Sequence, residues 1–192
     1  MDALIKTLTA GAIGLALGLW SAESILRTTR GFDAARIGAW TVSAKAGTPY
    51  ADPYTRAALE RSGEIPLALG EGLQLVASVD DSGAALNPRC AYRVGRKAPA
   101  ARYWTLGLVD RRGFPIENAA QRYVFRSTEL LRDADGGFAI AVSASAHDGN
   151  WLPLGAPERF ALVLRLYDSP LSATATTIDK DTLPSVVREG CQ

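Results

Sequence analysis

Arg159-Phe160-Ala161-Leu162-Val163-Leu164-Arg165-Leu166-Tyr167 decides the fold. Successive side chains of a strand point to opposite faces, so Phe160, Leu162, Leu164 and Leu166 share one face and Ala161, Val163, Arg165 and Tyr167 the other. The first face is wholly apolar and belongs to a core. The second carries a cation and a phenol, the pattern of an antiparallel strand covered on one side.

Upstream, the same period of two returns between turn signals. Phe138 to Ala144 reads as a strand, entered from the turn Asp133-Ala134-Asp135-Gly136-Gly137. Gln121 to Arg126 is another. Arg102 to Val109 is a third, ending at the hairpin-like loop Asp110-Arg111-Arg112-Gly113-Phe114. Cys90 to Val94 alternates, and Gln74 to Val79 leads into Asp80-Asp81-Ser82-Gly83. Short strands punctuated by Gly and Asp predict a mostly β, antiparallel sandwich of jelly-roll type. One short helix interrupts the series. Asp52 is its N-cap, Pro53 suits its first position and Gly63 closes it. Before it, Ile37 to Val42 reads as a first strand, after a connector around Gly31, Phe32 and Asp33.

The front of the chain is different. Thr7 to Ala22 contains no ionisable side chain. At about 1.5 Å per residue this run is short for a hydrocarbon core of about 30 Å. Leu4, Ile5, Ile25 and Leu26 complete the span if Lys6 and Glu23 lie at the interfaces, where Trp20 also belongs. A cleavable signal peptide is the competing reading, with Ser21-Ala22 as small residues. Bulky Trp20 beside them, and the absence of a clean small-x-small site, favour a retained helix. The chain therefore divides into a transmembrane anchor over 1–30 and a β domain over 31–192. Gly14 and Gly18 form a G-x-x-x-G pair through which two such helices can pack as a homodimer.

Orientation is contested within the sequence. Lys6 stands on one side of the span and Arg27, Arg30 and Arg36 on the other, which directs the domain to the cytoplasm by the positive-inside rule. The two cysteines, Cys90 and Cys191, point outward. A bridge between them closes a loop of about 100 residues, worth up to about 4.7 kcal/mol in the chain-entropy model, and persists in oxidising compartments. The other reading is two unrelated buried thiols. The bridge, and with it export, is the reading taken. No C-x-x-C or His/Cys cluster indicates a metal site. A net charge of +1 without a clustered basic face argues against nucleic acid.

The latter half of the chain resembles a known family, domain of unknown function 1214. The resemblance rests on Tyr103-Trp104-Thr105-Leu106 with Asp110 and Gly113-Phe114, then Asn118 and Arg122-Tyr123. It continues through Asp135-Gly136, Asn150-Trp151-Leu152-Pro153 and Phe160 through Arg165-Leu166-Tyr167. This module covers about 100–170. The anchored form, with Asp52-Pro53-Tyr54 and a cysteine on each side of the module, is similar to a bacterial inner-membrane subset. The resemblance implies a jelly-roll β-sandwich in the periplasm, often accompanied by a second module of unknown function (number 1254) on the same or a neighbouring chain. It carries over no reaction and no cofactor. The sequence shows no counterpart of that second module, so an activity needing both requires a companion protein.

A search for chemistry finds no complete catalytic set. His147 is the one histidine, in a polar loop, without G-x-S-x-G or S-x-x-K. The carboxylate pairs Asp80-Asp81 and Asp133-x-Asp135 sit beside glycines and read as turns, although paired carboxylates across a cleft can hydrolyse glycosides. The calcium-loop pattern is incomplete after Asp135. Asn150-Trp151 is the most distinctive segment: an exposed indole beside an amide stacks on and hydrogen-bonds a sugar. The reading favoured over this is that Trp151 plugs one end of the sandwich while Asn150 ties down a loop. Arg122, Arg165 and Tyr167 line the same face as this segment, or form a buried polar network with Asp110 or Asn118. The expectation is a tethered module binding a partner protein or an envelope glycan. A hydrolase using Asp110, Arg122, His147 or Asn150 and a structural assembly factor are the alternatives.

Overall fold

The computed structural model describes residues 2–28, 34–62, 65–67, 70–174 and 177–191. The expected connector at Gly31–Asp33, Arg30 of the charge count and the helix-closing Gly63 lie outside the described residues.

Helix α1 runs over Asp2–Thr28 and helix α2 over Pro53–Ser62. α2 starts as its sequence dictates. Asp52 Oδ1 accepts the N–H groups of Tyr54 (2.9 Å) and Thr55 (3.0 Å), satisfying donors that the first helical turn leaves free. Among the described residues ten strands follow in chain order: β1 Ala34–Ile37, β2 Trp40–Ser43, β3 Gly72–Ala77, β4 Cys90–Arg96 and β5 Tyr103–Asp110. Then come β6 Val124–Arg126, β7 Phe138–Ser143, β8 Trp151–Pro153, β9 Phe160–Tyr167 and β10 Ser185–Cys191.

The strands form two sheets, one in the order β1-β2-β3-β9-β5-β6 and one in the order β10-β4-β7-β8. All pairings are antiparallel except β7 with β8. One apolar core lies between the sheets, joining Leu75, Leu106 and Leu164 of the first to Tyr92, Val94 and Ile140 of the second. Rings cross the interface: Tyr92 meets Phe160 edge-on at 5.9 Å and Trp104 tilts over Phe138 at 5.0 Å. The protein is a mostly β two-sheet sandwich, as the alternation required.

Three departures have local causes. Ile37 to Val42 is not one strand, because Gly38 turns the chain. Its φ of +61° with Ile37 opposite Trp40 makes a two-residue hairpin between β1 and β2, glycine being the residue that takes this conformation without strain. The strand expected over Gln121 to Arg126 is confined to Val124–Arg126, since Gln121 adopts a φ of +50° in a turn. The outer face of β9 is also less open than expected. Val163 lies between Val76 and Gly107 on its neighbours and is buried, as is Ala161.

The last strand was unforeseen. Val186 enters the core, and Trp40 donates its indole N–H to Pro184 O (2.7 Å), so the C-terminal segment closes the sandwich. Asp81 exchanges two hydrogen bonds with Val186, one from each backbone N–H: Asp81 N–H to Val186 O and Val186 N–H to Asp81 Oδ2, both 2.9 Å. Arg188 reaches Asp80 Oδ2 at 3.0 Å and lies over the Tyr92 ring.

Candidate functional site

Of the seven residues singled out for binding, Asn118, Arg122, Asn150 and Trp151 lie together, while Asp110, Arg165 and Tyr167 serve elsewhere. Asp110 terminates β5 as a turn residue, its Oδ1 accepting the N–H groups of Arg112 (2.8 Å) and Phe114 (2.9 Å). Asn118 closes the following loop onto Arg122, accepting its N–H (3.1 Å) and donating to its carbonyl (3.0 Å). Asn150 is buried. Its Oδ1 accepts from Leu131 N–H (2.8 Å), and its Nδ2 donates to Leu131 O (2.8 Å) and Ala139 O (3.0 Å). Trp151 donates its indole N–H to Ser143 O (3.2 Å) within the β7–β8 pair, half-buried. In this arrangement Asn150 ties the 131 segment to β7.

Arg165 and Tyr167 do leave the Phe160–Leu166 face, but they join neither Arg122 nor a network with Asp110 or Asn118. The Arg165 guanidinium donates to Gln74 Oε1 (2.8 Å), and Tyr167 pairs with Tyr103 at 5.7 Å. Both partners come from adjacent strands, set by the registers Gln74 opposite Arg165 and Tyr103 opposite Tyr167.

Arg122 and Asn150 meet at a cleft of about 570 Å³ beside β6, which is an edge strand. Gln121, Tyr123, Arg126 and Glu129 line it with them. The Arg122 guanidinium lies 4.9 Å from the Phe125 ring centre and donates to Trp151 O (3.3 Å). Among the described residues it makes no ion pair, so the cleft retains a positive charge. Arg126 pairs with Glu129 at 2.7 Å. Tyr123 donates its hydroxyl to Glu117 (2.8 Å), and this bond to a carboxylate raises the phenol's pKa. Gln121, Tyr123, Arg126 and Glu129 were not singled out. The available signal was a short polar strand at the sheet's edge, which means a site only once the edge position is known.

The remaining titratable candidates hold turns or face solvent. Asp80 Oδ1 accepts the N–H groups of Ser82 and Ala84, both at 3.0 Å, and Oδ2 pairs with Arg188. Burial by itself raises the Asp80 carboxyl, but these hydrogen bonds and Arg188 outweigh it and hold its pKa below the ordinary value. Asp81 is displaced upward by desolvation and by the charge of Asp80. Asp135 accepts from Gly137 N–H (3.0 Å) inside its turn, and His147 is exposed on the loop before β8. No group of three or more His, Cys, Asp or Glu side chains among the described residues is placed to hold a metal ion. Gly14 and Gly18 face open space on α1.

Cys90 and Cys191 are directly opposite on β4 and β10 and form a disulfide. A family model described as Protein of unknown function (DUF1214) matches residues 71–171. The chain belongs to this family. The DUF1214 match starts further upstream than the resemblance from Tyr103 indicated, taking in β3 and β4, so it includes the centres of both sheets. α1, the β1–β2 hairpin, α2 and β10 lie outside it.

Among solved structures, the VPA0106 protein from Vibrio parahaemolyticus superposes with a TM-score of 0.61 at 18% identity, over 96% of this chain and 46% of that one. An uncharacterised protein from Burkholderia cenocepacia gives 0.40 at 21% identity over 63% and 30%. The chain thus spans less than half the length of these structures, and the first likeness is one of fold. No curated protein matches.

Proposed function

We propose that this DUF1214 chain is a membrane-tethered binding module that takes an extended segment of a partner protein along the edge of β6. The cleft carries the reading. Its wall is an edge strand: the N–H and C=O of Arg126 are already taken by Glu129 (3.4 and 3.0 Å), which leaves the Val124 end of β6 as the stretch onto which a peptide adds to the sheet. The Arg122 guanidinium beside it, which makes no ion pair among the described residues, favours an acidic or carbonyl-rich segment.

The tether is α1. Asp2–Leu26 is long and apolar enough to cross a membrane, and none of that span is buried against the domain. The disulfide supports an oxidising compartment, hence a domain in the periplasm of a bacterial inner-membrane protein. The opposing arginine count also weakens, because Arg36 belongs to β1 and donates to Gly38 O (3.1 Å) instead of standing in a flanking loop. A companion protein with the 1254-type module is the partner proposed. In VPA0106 this fold occupies 46% of the chain, so further chain accompanies it there.

The test is a photo-crosslinking residue at Gln121 in the full-length protein in its native membranes, with one at exposed Arg89 as control. A protein adduct at 121 and none at 89 is expected. Adducts to saccharide at 121, or equal protein capture at both positions, refute the reading.

A further inference from the structure

The strand registers identify the end of the sandwich that faces the anchor. Ala34, where the chain enters the domain after α1, is opposite Ser43. At the same end of the sheet Gly72 is opposite Tyr167, which is opposite Tyr103. The connection from β2 to β3, containing α2, therefore begins and ends here. An ion pair links it to the anchor itself. Arg61, in the last turn of α2, donates from Nη1 and Nη2 to the two carboxylate oxygens of Glu23, both at 2.9 Å. Glu23 is the first ionisable side chain after the Thr7–Ala22 run, so it marks the boundary between hydrocarbon and water. The paired Arg61 sets the C-terminal end of α2 at that boundary.

Two large side chains stand open beside it. Ile65, four residues beyond Arg61, is 88% exposed and Tyr50 is 81% exposed. Ile65 lines a groove with Thr48, Ala51, Arg56, Glu60 and Pro66, and Tyr50 lies in the chain between its residues Thr48 and Ala51. The packing is close, since a Cβ at Gly47 would stand 3.1 Å from Pro66 Cγ, and Leu67 lies against Gly72 at the strand end. An aliphatic and a phenol left in water on the anchor side of a domain match the chemistry of the bilayer interface. There, an apolar body enters the acyl boundary and a hydroxyl stays among headgroups.

We propose that the α2 end of the sandwich is a lipid-contacting surface, with Tyr50 and Ile65 seated in the headgroup region of the bilayer that α1 crosses. The domain is then held at a fixed attitude to the membrane, by the helix and by this patch. The proposal rests on α1 being a retained membrane helix.

Nitroxide labels on Y50C, I65C, L15C and R111C test it, one at a time, in the full-length protein with the Cys90–Cys191 bridge intact. The vesicles are phosphatidylethanolamine with phosphatidylglycerol. Collision rates with lipid-soluble oxygen and a water-soluble nickel complex are measured at each label. Position 15 reports the anchor, and position 111, at the opposite end of β5, reports bulk water. Expected is an oxygen-to-nickel ratio at 50 and 65 several-fold above that at 111 and below that at 15. If 15 is in lipid but 50 and 65 match 111, the lipid surface is overturned while the anchor stands. Labels at 50 and 65 shielded from both reagents mean that a protein surface covers the patch, which also overturns it. If 15 itself is aqueous, the anchor reading falls and the proposal with it.

Discussion

Reduction of the Cys90–Cys191 bridge reopens a segment with a sequence separation of 101. The native contacts of β10 survive this change. Its ladder with β4, the Asp81–Val186 bonds and Val186 in the core need no sulfur. The loss therefore falls on the unfolded chain, which regains loop entropy worth about 4.7 kcal/mol for a loop of this length. A domain of this size shifts its Tm by about 2–4 °C per kcal/mol, so a fall of about 9–19 °C is expected. The assay is a pair of thermal melts on the full-length protein in detergent, followed by far-ultraviolet circular dichroism, with and without a phosphine reductant. Mass spectrometry after alkylation confirms reduction. A double Cys90→Ala, Cys191→Ala variant should melt with the reduced protein. A loss under about 1 kcal/mol would refute the reasoning, since it would mean that the unfolded chain gains almost no freedom when the bridge opens.

Two further outcomes follow from side chains first read as candidates for chemistry. Asp80→Asn sets an amide against the Arg188 guanidinium, and chemical denaturation at neutral pH should show a loss of about 2 kcal/mol, the scale of a charge-assisted hydrogen bond. Because the folded-state pKa of Asp80 is lowered, its contribution is complete above the unfolded carboxylate value and disappears as pH falls through the folded one. Asp81, raised in the folded state, acts in the opposite sense, gaining stability on acidification. The gap between the parent and Asp80→Asn should accordingly close in the acid range; a gap constant with pH would contradict the ion-pair account. Asn150→Ala removes two hydrogen bonds to Leu131 and one to Ala139 of β7. A thermal melt should register about 2 kcal/mol lost, and an unchanged melt would return Asn150 to the list of ligand-binding residues.

The features legible in the sequence were those set by neighbours along the chain. The run from Thr7 to Ala22 makes α1, because no charged side chain interrupts it. Asp52-Pro53 starts α2, because a cap acts within three residues. The alternation at Phe160–Tyr167 makes β9, because the pleat has a period of two. The cysteines were legible as a possible pair, and the family was legible from the motifs between Tyr103 and Tyr167.

Tertiary structure alone decided what depends on partners distant in sequence. Ser185–Cys191 contains Arg188-Glu189-Gly190 and shows no apolar alternation, so only pairing with β4 makes it a strand. Asp80 and Asp81 read as a turn, but their work is to hold that strand about 105 residues away. Asn150 and Trp151 are adjacent in sequence and polar enough to suggest a ligand, yet their donors are directed to Leu131, Ala139 and Ser143. Arg122 and Arg165 are both strand-region cations. The sheet order placed one at an edge and the other between Gln74 and Thr105 in the middle. A residue's type and spacing fix which interactions it is able to make, while the groups it meets are fixed by which strands the sheet sets side by side.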